Sequence, residues 1–303
     1  MSNDVGSGHF FHSLSLFQEF QSRNIQTLLL LKNCDTFTYD KLNKLNIRFL
    51  IEKDKSIFSE LFTEGKKNII INDILDTEES DILFQKKLGY KIINIEDKGS
   101  GAKHAHIVIN ALYDKSTKNL KELNGPKYTV LRDEFILAKN NIDYAQNEDL
   151  IISFGGTDPA NLSEVIYESL KISDVPFLIV EPPFRTIKIK DPRIVRNINS
   201  IASLFGHAKI GITSSGRTMY EFLYLGIPII SIAQHDREES HSLNNHELIE
   251  YLGKGSKLNS KEIYHKIISL YDDGGKLNYL RGNIEGIVDG RGLDRIVQLI
   301  INI

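Results

Sequence analysis

A single cysteine, Cys34, leaves no possibility of an internal disulfide. No apolar run approaches the roughly 18 residues of a membrane span, and the amino terminus has no signal-peptide pattern. Neither sign of charge dominates: 37 basic and 40 acidic residues, spread along the chain, give a formal net charge of -3. Nucleic acid is therefore not an expected partner, and any anion site must be local. Low-complexity tracts and short-period repeats are also missing. These absences lead to the expectation of a cytoplasmic protein with no transmembrane segment.

What is present suits an ordinary globular protein, with 41% hydrophobic and 25% charged residues. A length of 303 residues fits two domains at roughly 100 to 200 residues each. Short apolar runs at 27–31, 47–51, 68–71, 91–95 and 107–109 read as strands, separated by helical spacing at 39–45, 57–62 and 79–88. The alternation restarts at 150–154 and continues through 177–180, 194–196, 209–212 and 228–232. Near-continuous Ile and Leu strands separated by helices indicate parallel sheets covered on both faces. The fold expected is α/β, with two Rossmann-like domains, 1–147 and 148–303, and a cleft between them. Beyond residue 246 three helices are expected, at 260–271, 276–284 and 292–301, and no comparable strand.

A Rossmann half normally begins with a strand leading into its glycine turn, yet only five residues precede Gly6. The first strand of the amino-terminal domain is therefore expected to be missing or shortened. An upstream start, a separated upstream or partner domain, and genuine loss of the strand remain open.

Three turns could carry chemistry. Gly155, Gly156, Thr157, Asp158 and Pro159 follow a strand and precede a helix, so free amides and the helix dipole could hold a diphosphate. The equally plain alternative makes Asp158 an N-cap and Pro159 the first helical residue. Ser214, Ser215, Gly216, Arg217 and Thr218 repeat the architecture, and Glu221 could accept a ribose diol. Thr218 and Glu221 also fit a capping box, which needs no ligand. The third turn, Gly6 to His9, opens an amphipathic helix, where His9 could act as a general base or simply be a solvated helix residue. The remaining histidines have no metal-ligand spacing with acids, so neither a metal nor a cofactor is expected. Gln234 and His235 follow a strand, where side chains commonly meet ligands, or else lie in a solvated loop.

Four motifs, GSGH at 6–9, YTVLRDEF at 128–135, SFGGTDPAN at 153–161 and SSGRTMYEFLYLGIP at 214–228, together resemble the UDP-sugar hydrolases of pseudaminic acid biosynthesis and their spore-coat-polysaccharide relatives. That family is similar to GT-B glycosyltransferases, whose carboxyl-terminal half holds the nucleotide. The resemblance implies that His9 is the base activating water against the anomeric carbon. It also implies that Glu221 binds ribose and that the turns at Gly155 and Gly216 contact the diphosphate. Gly8, Asp73, Asp97 and Asn110, with Gln234 and His235, are the sugar-side candidates. Two departures stand out: His12 replaces an arginine usual in the family, and the first strand is mostly missing. The stretch 233–241 with Asp289, Gly290, Arg291 and Gly292 looks like a branch linked with sialic-acid-like sugars. The function expected is release of an amino-deoxy sugar and UDP from a nucleotide sugar. A glycosyltransferase using the same donor, or a non-catalytic nucleotide-sugar-binding protein, is the alternative.

Overall fold

The computed structural model describes residues 8–113, 121–144, 147–196, 198, 200–245 and 247–303. In chain order the elements are α1 (Gly8–Ser22), β1 (Leu29–Leu31), α2 (Thr36–Lys44), β2 (Phe49–Ile51), α3 (Ser56–Leu61), β3 (Ile69–Asn72), α4 (Glu79–Lys87), β4 (Lys91–Ile95), β5 (Ile107–Asn110) and β6 (Glu122–Asn124). There follow α5 (Asp133–Ala138), β7 (Asp149–Ser153), α6 (Leu162–Leu170), β8 (Phe177–Val180), β9 (Ile194–Val195), α7 (Ile201–Gly206) and β10 (Ala208–Thr213). The last are α8 (Arg217–Tyr224), β11 (Ile229–Ala233), α9 (Asp236–Glu239), β12 (Glu250–Lys254), α10 (Ser260–Asp272), α11 (Gly274–Ile284) and α12 (Gly292–Ile301). They form two units, Met1–Val130 with Arg291–Ile303, and Leu131–Gly290.

In the first unit, β1 pairs with β2, and β3 to β6 form a separate four-stranded sheet, all pairs parallel. The isoleucines of β4 and β5 are buried on both faces, as a helix-covered parallel sheet requires. One helix serves both sheets: α1 puts Leu16 and Phe20 among Ile93, Ile95, Ile107 and Ile109, and Phe10 and Leu14 against Leu29 and Leu42. Residues 1–7, on which the expectation about the first strand and the turn residues Gly6 and Ser7 fall, lie outside the described residues.

The second unit is one six-stranded parallel sheet in the order β12-β11-β10-β7-β8-β9. Counted from β7 as the first strand, this is the 3-2-1-4-5-6 order of a doubly wound Rossmann sheet. One face buries Leu150, Ile152, Ile210, Ile212, Ile230 and Ile232 under α6 and α10. On the other, Gly211 lets the Phe222 ring of α8 lie against β10, where a Cβ would come within 2.7 Å of Phe222 Cδ1.

The division differs from the expected one near residue 147 in two ways. Residues 131–147 belong to the second unit because α5 docks there: Phe135 is fully buried beside Phe205, at 5.8 Å between ring centroids, and Glu134 accepts hydrogen bonds from Ser200 Oγ and Ala202 N at the start of α7. Helix α12 belongs to the first unit, where Ile296, Val297 and Ile300 join the core of α1 and β4. Arg23 reaches Asp294 at 2.8 Å, and a Cβ on Gly292 would come within 2.0 Å of Thr129 O. The stretch 289–292 thus has a local structural reason for its glycines, Gly290 having a φ of 76°. Strand β12 was not expected beyond residue 246. Its sequence EYLGK mixes polarities, and it lies half-exposed at the sheet edge. Among the described residues no helix is long and apolar enough to cross a membrane.

Candidate functional site

In the second unit β7 and β10 are hydrogen-bonded neighbours, with Ser153 paired to Thr213. The chain continues from β7 toward β8 on one side and from β10 toward β11 on the other. The two glycine turns therefore leave adjacent strands at the topological switch point, the crevice where open α/β sheets take ligands.

Each turn differs in detail from the sequence expectation. Gly155 has a φ of 77° and open space where a Cβ would be, so backbone conformation rather than crowding requires glycine there. Neither Asp158 nor Pro159 holds the expected helix position, since α6 starts at Leu162 with Asn161 at the N-cap. Asp158, wholly buried, instead caps from upstream: its oxygens accept Leu162 N at 2.9 Å and Ser163 N at 3.0 Å, and Arg185 Nη1 donates to it at 3.0 Å. The first amides of α6 are thus already used by a carboxylate, so this helix start differs from the free helix end expected of the first turn.

Helix α8 is the opposite case. It starts at Arg217 behind Gly216, with no side-chain cap. The expected capping box is not formed, because Thr218 lies inside the helix and Glu221 turns to Arg132. Arg132 Nε and Nη2 both donate to Glu221 Oε1, at 3.2 and 2.9 Å, and Arg132 also pairs with Glu134 at 2.8 Å. Burial raises the Glu221 carboxyl above its ordinary range, opposed by the Arg132 charge. Ser215 Oγ is buried against Ser231 Oγ at 2.7 Å, so that hydroxyl fixes the turn to β11 rather than facing a ligand.

Gln234, at the end of β11, braces the first turn. Its Nε2 donates to Phe154 O at 3.0 Å, and its Oε1 accepts from Ala160 N at 3.4 Å. His235 is exposed at the N-cap of α9. Two residues that sequence reasoning assigned no role stand out. Arg132 lay inside the YTVLRDEF motif, which was the available signal. Glu238 lay in the stretch after the strand 228–232, for which ligand contact and a solvated loop were both open. It is buried, accepts Gln234 N at 2.7 Å, and places Oε1 3.5 Å from where a Gly216 Cβ would be. Burial, with Asp158 nearby, pushes its carboxyl up to about 7.

In the first unit the candidates sit at the carboxyl ends of β3, β4 and β5, and His9 and Asp73 come together. Asp73, one residue past β3, takes His9 Nδ1 at 2.7 Å on one oxygen, and His12 Nδ1 at 2.6 Å and Ser13 Oγ at 3.0 Å on the other. With both Nδ1 atoms donating, the neutral form of each imidazole has its lone pair on Nε2. His12 is buried, whereas the His9 side chain keeps 17% exposure. Gly8 is the first residue of α1.

Asp97 does not fit its expected sugar-facing place. Fully buried, it accepts Thr77 N, Thr77 Oγ1, Asn94 Nδ2 and Gly99 N, all within 3.0 Å, which uses its oxygens internally. Asn110 is also wholly buried. It donates to Glu122 Oε1 at 2.7 Å, and its Oδ1 has no partner among the described residues. Among those residues no cluster of three potential metal ligands occurs.

Two parallel α/β units, one with the full Rossmann order and paired glycine turns, define a GT-B-like fold. MurG of Acinetobacter baumannii shares it with a TM-score of 0.68 at 13% identity, over 99% of this chain and 98% of that one. HepE of Anabaena, solved in complex with UDP-glucose, shares it at 0.64 and 12% identity, over 100% and 98%. In sequence the chain is 28% identical over 263 residues to uncharacterized protein MJ1062 of Methanocaldococcus jannaschii, covering 78% of this chain and 54% of that protein. It thus spans about half the length of that relative. It is 21% identical to the spore coat polysaccharide biosynthesis protein SpsG of Bacillus subtilis, over 98% of this chain and 94% of SpsG. No protein-family model matches.

Proposed function

We propose that the chain is an enzyme acting on a nucleotide-activated sugar, most simply a UDP-sugar, whose diphosphate rests at the β7–β10 switch point of the second unit. The observation that carries this reading is the pairing of two glycine turns on adjacent strands, one of them opening a helix with no side-chain cap. Backbone amides of Gly155, Gly156, Thr157 and Gly216, with the hydroxyls of Ser214 and Thr218, are the proposed phosphate contacts, and the positive end of α8 favours the anion. Glu221, held by Arg132, is the proposed ribose contact. Transfer of the sugar to an acceptor is the leading chemistry, since the fold is shared with the calicheamicin glycosyltransferase CalG4 and with HepE, which carries UDP-glucose. As the glycosidic bond to the diphosphate breaks, the α8 amides stabilise the departing negative charge.

Hydrolysis is the second reading, for which the His9–Asp73 pair is equally suited. A base oriented through Nδ1 can remove a proton from water at Nε2 as readily as from an acceptor hydroxyl. Motif resemblance supports this chemistry, and the SpsG relationship supports a place in surface-polysaccharide synthesis. Incubating the protein with UDP-sugars, with and without sugar or lipid acceptors, separates the readings. UDP release that requires an acceptor supports transfer, and free sugar formed without one supports hydrolysis. UDP binding with no turnover leaves a binding protein, and absence of both overturns the proposal.

A further inference from the structure

Strand β2 is an edge of the two-stranded sheet, and no described residue pairs with its outer side. Natural edges are usually blunted by charge, proline or a covering segment. This one presents Phe49, Leu50 and Ile51, with Leu50 42% and Ile51 46% exposed. Leu28, Tyr39 and Leu45, from the neighbouring β1 and α2 segments, are also large apolar residues with 40% or more exposure. Arg48 and Glu52 flank the strand, and neither has an ion pair among the described residues.

We propose that this edge joins two copies of the chain, β2 pairing antiparallel with β2 of the second copy about a twofold axis at Leu50. The segment Arg48-Phe49-Leu50-Ile51-Glu52 is self-complementary under that axis. Arg48 faces Glu52 of the second copy, Phe49 faces Ile51, and Leu50 faces itself. The backbone has the required parity. Glu52 N donates to Leu31 O of β1 at 2.8 Å, so the polar groups of residues 50 and 52 turn inward and those of 49 and 51 turn out. Phe49 and Ile51 then form the hydrogen-bonded pairs. The Leu50 pair, and the Arg48 and Glu52 pairs on its face, fall at non-hydrogen-bonded positions where side chains approach most closely. Such a contact is isologous and closed, so it stops at a dimer. Charge complementarity favours a second copy over an unrelated strand.

Sedimentation analysis of the full chain tests this. The parent sediments as a dimer. Arg48→Glu and Glu52→Arg each set like charges opposite one another twice and weaken it by roughly tenfold or more. The double variant Arg48→Glu/Glu52→Arg restores the dimer, and an equimolar mixture of the two single variants forms a heterodimer. The mixture also shows that neither single variant is merely unfolded. A monomeric parent, a dimer indifferent to both single variants, or a mixture that fails to associate overturns the proposal.

Discussion

His9 Nδ1 lies 2.7 Å from Asp73 Oδ1, a contact that joins the first turn of α1 to the end of β3 across 64 residues of sequence. In the neutral imidazole it selects the tautomer with Nε2 as acceptor, the form a general base needs. The other Asp73 oxygen holds His12 at 2.6 Å, so both histidines depend on a single carboxylate with two acceptors.

An amide at position 73 offers one acceptor and one donor, and cannot satisfy both Nδ1–H groups. Asp73→Asn and His9→Asn should each lower turnover of a UDP-sugar by about 10²- to 10⁴-fold with UDP affinity unchanged. Steady-state kinetics beside calorimetric UDP binding checks this. Undiminished turnover in His9→Asn would remove that residue from the chemistry.

Glu221→Ala removes one carboxylate partner of the Arg132 guanidinium and keeps its pair with Glu134. Breaking a buried pair commonly costs about 3 to 5 kcal/mol, and the partial exposure of both groups reduces the expectation to about 1 to 3 kcal/mol. Urea unfolding measures that loss. If Glu221 also contacts ribose, UDP binding weakens in Glu221→Ala while inorganic diphosphate binding does not. Equal UDP affinity in variant and parent leaves Glu221 as a support for Arg132 only.

Glu238 makes stability depend on pH. Its carboxyl titrates near 7 in the folded chain against 4.5 as its ordinary value, so the folded state keeps a proton that the unfolded state releases between those values. The stabilisation is complete below the unfolded value and is lost as pH rises through about 7, on the order of 3 kcal/mol in all. Glu238→Gln cannot ionise, so its stability relative to the parent should improve as pH rises from about 5 to 8. An unchanged difference between the two urea midpoints across that range would show that Glu238 titrates normally.

Two glycines should fail for different reasons. Gly211→Ala drives a methyl into Phe222 and should cost about 1 to 3 kcal/mol without altering the turns. Gly155→Ala meets no neighbour but places a Cβ at a φ of 77°, costing about 1 to 2 kcal/mol. Only the second should weaken UDP binding beyond what its stability loss explains. Comparing unfolding midpoints with UDP affinities for both variants decides this.

The parallel sheets were legible because isoleucine runs such as those of β4 and β5 have few other structural uses. Strand β6, three residues of ELN, and strand β12 carry too little apolar signal to be read. The return of α12 to the first unit depends on Gly292 meeting Thr129, a contact between distant residues with no local trace. In the site, the glycine turns were readable from strand, turn and helix order. Whether a polar side chain is available to a ligand was not: Asp97 ends a strand like Asp73, but Thr77, twenty residues away, takes both of its oxygens. Glu238 matters because it is buried beside a turn, which only the folded chain establishes.

Hydrogen–deuterium exchange of the intact protein with and without UDP tests the nucleotide site most directly. Slowed exchange confined to residues 154–160 and 214–218 is the result expected for a diphosphate held at the switch point of β7 and β10. UDP binding that leaves both turns unprotected, or protects only residues of the first unit, would contradict it.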